Sequence, residues 1–327
     1  MKKTAASNQR NVRIIDGIPM LIAAIILVIV LAVIGFAGSN NLRRILIKVF
    51  IYCAMGSMWN LMSGYTGMTS LGQQTFIGVA GYTVALFTAK FALPFAVGIL
   101  AGGVIGGVLA LILAVILFRM RGMYFAIATW VIAEAFKTFF TSWGFVNAGG
   151  GMTVAGRPDR EVIYLMCLVL AVASIVVIYV LLKSKLGLGL TAMRDDADAA
   201  SSVGVNIFKS KLLCFVICGV FCALGGGLYY LNNVSIYPGS GFAIDWTVSL
   251  VFIVIIGGIG TMSGPIVGTI IYIVLDEVLA QLPAGWSNII LGLIAILVIL
   301  FLPDGIMGTL QKKLHFELLS QKRFSGE

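Results

Sequence analysis

Residues 183–211 read KSKLGLGLTAMRDDADAASSVGVNIFKSK, the one long polar interruption in a chain that is otherwise almost continuously apolar. Helix punctuation stands inside it. Asp195 is a good N-cap, Asp196 and Asp198 put negative charge on the first turn, and Gly204 sits where a left-handed C-terminal cap belongs. The spacing predicts a helix over Asp195–Val203, about eight residues, short of the ~12–15 at which isolated helices become marginal in water. Something must hold it. Two readings are open at this point: a docking surface for a soluble partner, or an interfacial helix resting on lipid headgroups.

The flanks decide the class. Hydrophobic residues fill 60% of 327 positions, charged residues 11%, and the mean hydropathy is +1.06. A soluble domain is about a quarter charged, so this is the composition of an integral membrane protein. Apolar runs recur at Ile18–Ala37, Ile45–Met62, Leu71–Ala89, Leu93–Phe118 and Tyr124–Trp143. They continue at Val162–Leu182, Leu212–Leu231, Trp246–Gly258, Ile266–Leu282 and Trp286–Leu302. The pattern predicts an all-α, polytopic transmembrane helical bundle of about ten spans, the eighth short, with Ser63–Ser70 a loop or a re-entrant segment. The first run is about 20 residues, longer than the usual 7–15 of a secretory leader, and is read as an uncleaved span. The divisions are an N-terminal tail at 1–17, a membrane domain at 18–303 carrying the polar loop 183–211, and a C-terminal tail at 304–327.

Lys and Arg positions set the orientation. With the N-terminus inside, the inner segments hold Lys2, Lys3, Arg10, Arg13, Arg119, Arg121, Lys183, Lys185, Arg194, Lys209, Lys211, Lys312, Lys313, Lys322 and Arg323. The outer side receives Arg43, Arg44, Lys90, Arg157 and Arg160. Fifteen against five predicts cytoplasmic termini and a cytoplasmic 183–211 loop. The net charge of +9 lies in short loops and tails, without the clustered basic face of a nucleic-acid binder.

Glycine is the second compositional signal, at 39 residues. Gly102, Gly103, Gly106 and Gly107 form overlapping small-xxx-small pairs, and Gly225–Gly227 crowd the seventh span, as helices that pack closely in lipid require. Others fall in connections: Gly64–Gly72, Gly149–Gly151 and Gly257–Pro265. These are tight turns or non-helical backbone along a translocation path. Cys53, Cys167, Cys214, Cys218 and Cys222 all lie in apolar runs and read as small buried hydrophobes, with no metal site.

Catalytic chemistry has no evident home. His315 is the only histidine, no lysine follows a glycine as a phosphate loop demands, and no serine has a histidine and carboxylate to match. No catalytic residue and no cofactor is expected, and any nucleotide must be bound by another subunit. Glu134 and Lys137 stand inside the fifth span at i and i+3, either lining a pathway or forming an intramembrane pair that fixes packing. Asp276 and Glu277 lie toward the outer end of the ninth.

Four stretches then become familiar: SGYTGMTSLGQQTFIGVAGYTVAL (63–86), RMRGMYFAIATWVIAEAFK (119–137), TAMRDDADAASSVGVNIFKSKLLCFVICGVFCALGGGLYY (191–230) and IGGIGTMSGPIVGTIIY (256–272). In this order they resemble the membrane permease subunits of branched-chain amino acid ABC importers, over roughly residues 45–304. The resemblance implies a pore-forming subunit in a bacterial inner membrane. Its expected partners are a second, related permease, cytoplasmic ATP-binding subunits and an external solute-binding protein. It places an ATPase-coupling helix at Asp195–Val203, with Asp196, Asp198 and Ala200 in it, Arg194 before it and Gly204 after it. Where relatives tend to read T-G-G-S-x-G in an outer loop, this chain has NAGGGM at 147–152. Related permeases also serve urea and other small solutes. An ion-coupled secondary transporter is the other functional class, and it would carry broken helices and buried acids at the midplane.

Overall fold

In lipid a backbone must satisfy its own N–H and C=O groups, and this chain does so almost wholly as helix. The computed structural model describes residues 13–15, 18–281, 283, 286–302, 304–314 and 316–318. Its helices are α1 (Ile18–Ala37), α2 (Asn40–Thr66), α3 (Gln73–Ala89), α4 (Phe95–Leu117), α5 (Met123–Ser142), α6 (Arg160–Lys183) and α7 (Lys185–Asp195). They continue as α8 (Ala197–Ser202), α9 (Ile207–Asn233), α10 (Pro238–Gly241), α11 (Asp245–Gly257), α12 (Gly264–Leu279), α13 (Trp286–Phe301) and α14 (Gly305–Leu314). Among the described residues sheet is confined to two short pairs. Residues Arg13–Ile15 (β1) lie parallel to Phe316–Leu318 (β4), and Met152–Thr153 (β2) lie antiparallel to Ser235–Ile236 (β3).

Each of the ten predicted spans falls on one of these helices. Among the described residues seven helical runs are long and apolar enough to cross a membrane, α2, α4, α5, α6 and α9 among them. At 17 residues α3 sits at the lower limit of the ~17–25 that span the hydrocarbon core, and α12, at 16, falls just below it. The segment at 63–70 is half helix and half connection: α2 stays helical to Thr66, and Gly67–Gly72 connects it to α3. His315, the cations at 2–10 and those at 322–323 lie outside the described residues.

The core is built where small residues let backbones approach. On α4, Gly102 faces Ala80 of α3, whereas Gly103, Gly106 and Gly107 face Leu224, Ala223 and Val220 of α9. On α9, Gly226 lies against the Ile77 backbone and Gly225 against Met55 of α2. Cys214, Cys218 and Cys222 are buried on α9, and Trp59, Tyr65, Tyr82, Tyr164 and Tyr230 fill the larger gaps. Around this α2–α3–α4–α9 centre, α1 leans on α6 through Tyr164, whose hydroxyl donates to the Leu31 carbonyl at 2.7 Å, and Arg43 of α2 donates to the Phe36 carbonyl at 2.8 Å.

The connections gather at two ends. At one, Arg43 pairs with Glu161 at 3.0 Å, Arg157 Nη2 donates to Asn232 Oδ1 at 3.2 Å, and Lys90 donates to the Phe145 carbonyl. At the other lie the start of α3, the α7–α8 loop and the turn between α11 and α12.

Candidate functional site

The polar loop is built as two helices, which corrects the expected single one. Ser184 caps α7, its Oγ accepting from the Leu186 N–H at 3.2 Å. Gly187 lies against the Leu182 carbonyl so tightly that a side chain has no room. Leu190 and Met193 are buried, and α7 packs on α2 and α6. The chain turns at Asp196, not at Asp195. Asp195 ends α7 with its side chain 82% exposed, whereas Asp196 is extended (φ −152°) and its Oδ1 accepts from the N–H groups of Asp198 at 2.9 Å and Ala199 at 3.0 Å. A carboxylate that serves two otherwise unpaired amides stabilises a helix start by about 1 kcal/mol.

The second helix, α8, therefore has six residues. Its C-terminus closes as the sequence led one to expect: Gly204 is left-handed (φ +89°), its N–H donates to Ser201 O at 3.0 Å, and the Val205 N–H donates to Ala200 O at 3.1 Å. These are the two bonds of a Schellman cap. Ala200 points inward and is 2% exposed, so it belongs to the packing of α8 on α7 and α9 and not to an outward surface. Asp198, Ala199, Ser201 and Ser202 are exposed, and so is the apolar Val203, at 78%. The result is a small-residue helix held at both caps, with one exposed valine at its end.

Arg194 anchors the loop to the bundle. Its Nη1 donates to the Gly64 carbonyl in the last turn of α2 at 2.9 Å, and its Nε lies 3.9 Å from Asp195 Oδ1. The turn between α11 and α12 meets the same place, since a β-carbon on Gly260 would lie 2.6 Å from Arg194 Nη1.

The intramembrane pair forms. Lys137 Nζ lies 2.8 Å from Glu134 Oε1, yet the side chains are 36% and 51% exposed on the outward face of α5. The bond is intrahelical and joins α5 to no neighbour. Sequence reasoning missed three groups. Lys48 of α2 pairs with Glu277 at 2.8 Å and Asp276 at 3.3 Å of α12, a lone cation in an apolar run whose partners were already visible. Asn60, 1% exposed, is bonded to the α11–α12 turn. Gln74 Oε1 accepts from the Thr247 hydroxyl of α11 and its Nε2 donates to Leu71 O at 3.1 Å, so this part of the SLGQQ stretch serves packing. Among the described residues no three of His, Cys, Asp and Glu converge as a metal site.

The family described as "Branched-chain amino acid transport system / permease component" matches residues 41–299. The chain belongs to this family. The high-affinity branched-chain amino acid transport system permease protein LivM of Escherichia coli is 24% identical over 314 residues, covering 86% of this chain and 73% of the relative. The probable branched-chain amino acid transport permease protein LivM of Methanocaldococcus jannaschii is 25% identical over 155 residues, 43% of this chain and 45% of the relative. The autoinducer 2 import system permease protein LsrC of Photorhabdus laumondii is 30% identical over 144 residues, 42% of this chain and 41% of the relative. No solved structure matches. The matched region of the permease family takes in α2–α12, with the α7–α8 loop and the α11–α12 turn inside it.

Proposed function

We propose that this chain is a permease subunit of an ATP-driven importer of branched-chain amino acids in a bacterial inner membrane, with ten spans and both termini cytoplasmic. The carrying observation is the permease family match over residues 41–299, which contains a capped, outward-facing helix with no internal reason to be exposed. On this reading α8 seats in a cytoplasmic ATPase through Asp198, Ala199, Ser202 and Val203, and Arg194, Asp196 and Gly204 hold it in place. The fifteen-to-five cation bias supports the cytoplasmic placement. A solute-binding protein docks at the opposite end. A second permease covers the outward face of α5, because an ion pair left facing lipid costs several kcal/mol, whereas one facing a partner or a watery path does not. The E. coli relative supports leucine, isoleucine and valine as solutes; the partial match to a permease named for autoinducer 2 makes that the alternative solute class. Affinity purification of the tagged chain from its native membrane tests the assembly. A stoichiometric ATPase and a second permease are expected. A chain that purifies alone yet still transports on an ion gradient would overturn the proposal.

A further inference from the structure

We propose that Arg194 and Asn60 form a mechanical link that carries displacement of α8 to the turn between α11 and α12. The proposal rests on the reading of α8 as an ATPase-docking helix and names the path beyond it.

The turn at 257–264 is not a slack loop. Gly258 (φ +120°) and Gly260 (φ +74°) take conformations that side chains resist, and Thr261 closes it, donating to Gly258 O at 2.8 Å and accepting from the Gly264 N–H at 3.1 Å. Gly257 and Gly264 touch backbone to backbone, as do Gly268 and Ile253, so α11 and α12 behave as one stiff hairpin.

Two groups grip this hairpin from outside. Asn60 uses its whole amide: Oδ1 accepts from the Gly260 N–H at 2.8 Å, and Nδ2 donates to Thr261 O at 2.9 Å. Gly64, one turn on, lies so close that a β-carbon there would sit 2.6 Å from Gly260 N. Arg194 closes the triangle, bonded to the carbonyl of that same Gly64 and seated over Gly260. It stands two residues before Asp196, the N-cap of α8, on a helix buried at Leu190 and Met193. A rigid-body shift of α7–α8 therefore moves the guanidinium against the turn with no flexible segment between.

The far end of the hairpin is held. Lys48 of α2 binds Glu277 and Asp276 near the end of α12, and the Tyr52 ring stacks on Trp246 at the start of α11, centroids 5.6 Å apart. A force at the turn acts where Asn60 already ties the hairpin to α2, and the other end is tied to α2 as well. The displacement therefore passes to the hairpin and the adjoining end of α2 together, the geometry a gate needs.

The test uses the full transporter purified with its own ATPase, labelled for distance measurement at Ile259→Cys, on the exposed edge of the turn, and Phe208→Cys, exposed on α9. The five native cysteines are buried. Adding Mg-ATP and vanadate should shift the label distance by about 1–2 Å or more. Gly260→Ala, which displaces the guanidinium and leaves α8 untouched, should keep the ATPase bound and cut that shift at least threefold. Arg194→Met removes the contact from the other side and must do the same. Should either variant fail to fold, the other decides. A full shift retained in a folded variant overturns the link. A wild-type preparation that holds no ATPase would instead sink the docking reading beneath it.

Discussion

Lys48 Nζ lies 2.8 Å from Glu277 Oε1, tying α2 to α12 across 229 residues of chain. The same ammonium reaches Asp276 Oδ2 at 3.3 Å, so one cation holds two adjacent acids, all three only partly exposed. The arrangement is asymmetric. Lys48→Met strands Asp276 and leaves Glu277 only the Arg44 guanidinium at 3.4 Å, and should cost about 1–3 kcal/mol, between surface and buried extremes. Glu277→Gln leaves Asp276 in place and should cost less than half as much. Thermal unfolding in detergent measures both, and a larger loss for Glu277→Gln would contradict this geometry.

Ala200 and Val203 separate folding from docking. A buried Ala200→Trp overpacks the seat of α8 and should destabilise the loop by about 1–3 kcal/mol, seen as faster proteolysis within residues 196–206 of the permease alone. Val203→Glu alters only an exposed tip. It should leave proteolysis unchanged and lower ATPase co-purification at least fivefold.

Gly204 is left-handed, where a β-branched residue is strained by roughly 1–2 kcal/mol. Gly204→Val should therefore open the cap and speed hydrogen exchange at the Gly204 and Val205 positions by about tenfold or more, as 1.4 kcal/mol corresponds to tenfold. Asn tolerates this region better, so Gly204→Asn should be milder. Equal exchange in both variants would mean the cap does not hold α8.

Glu134 and Lys137 sit half exposed on α5, bonded to each other and not across a helix interface. Replacing both with leucine should leave the folded yield of this chain near wild type. If the pair faces the second permease or a watery path, uptake should fall at least tenfold, and the swapped pair Glu134→Lys with Lys137→Glu should recover part of it. Normal uptake in the double leucine variant would remove the pair from the path.

Most of the helical frame was legible because lipid leaves a backbone few choices: a long apolar run must be helix, and all ten such runs are. The loop was legible in kind but not in register. Asp195 and Asp196 are both good caps, and only the packing of α7 decides that Asp196 turns. That helix was hidden because Gly187 and Gly189 weaken its propensity by about 1 kcal/mol each, while Gly187 fits under the end of α6 at Leu182 and Gly189 makes room for Val205. Ala200 looked like surface because a six-residue helix has no periodicity from which to read a buried face. The grip of Asn60 on Gly260 spans 200 residues, and no local pattern encodes it.

The central claim is that this chain carries branched-chain amino acids under ATP, and uptake into proteoliposomes tests it most directly. The transporter, reconstituted with its ATPase and its solute-binding protein, should accumulate radiolabelled leucine, isoleucine or valine. Uptake should require ATP inside the compartment that holds the ATPase and should survive collapse of proton and sodium gradients. Accumulation that follows an ion gradient without ATP, or ATP-driven uptake of another solute with none of the three amino acids, would contradict the account.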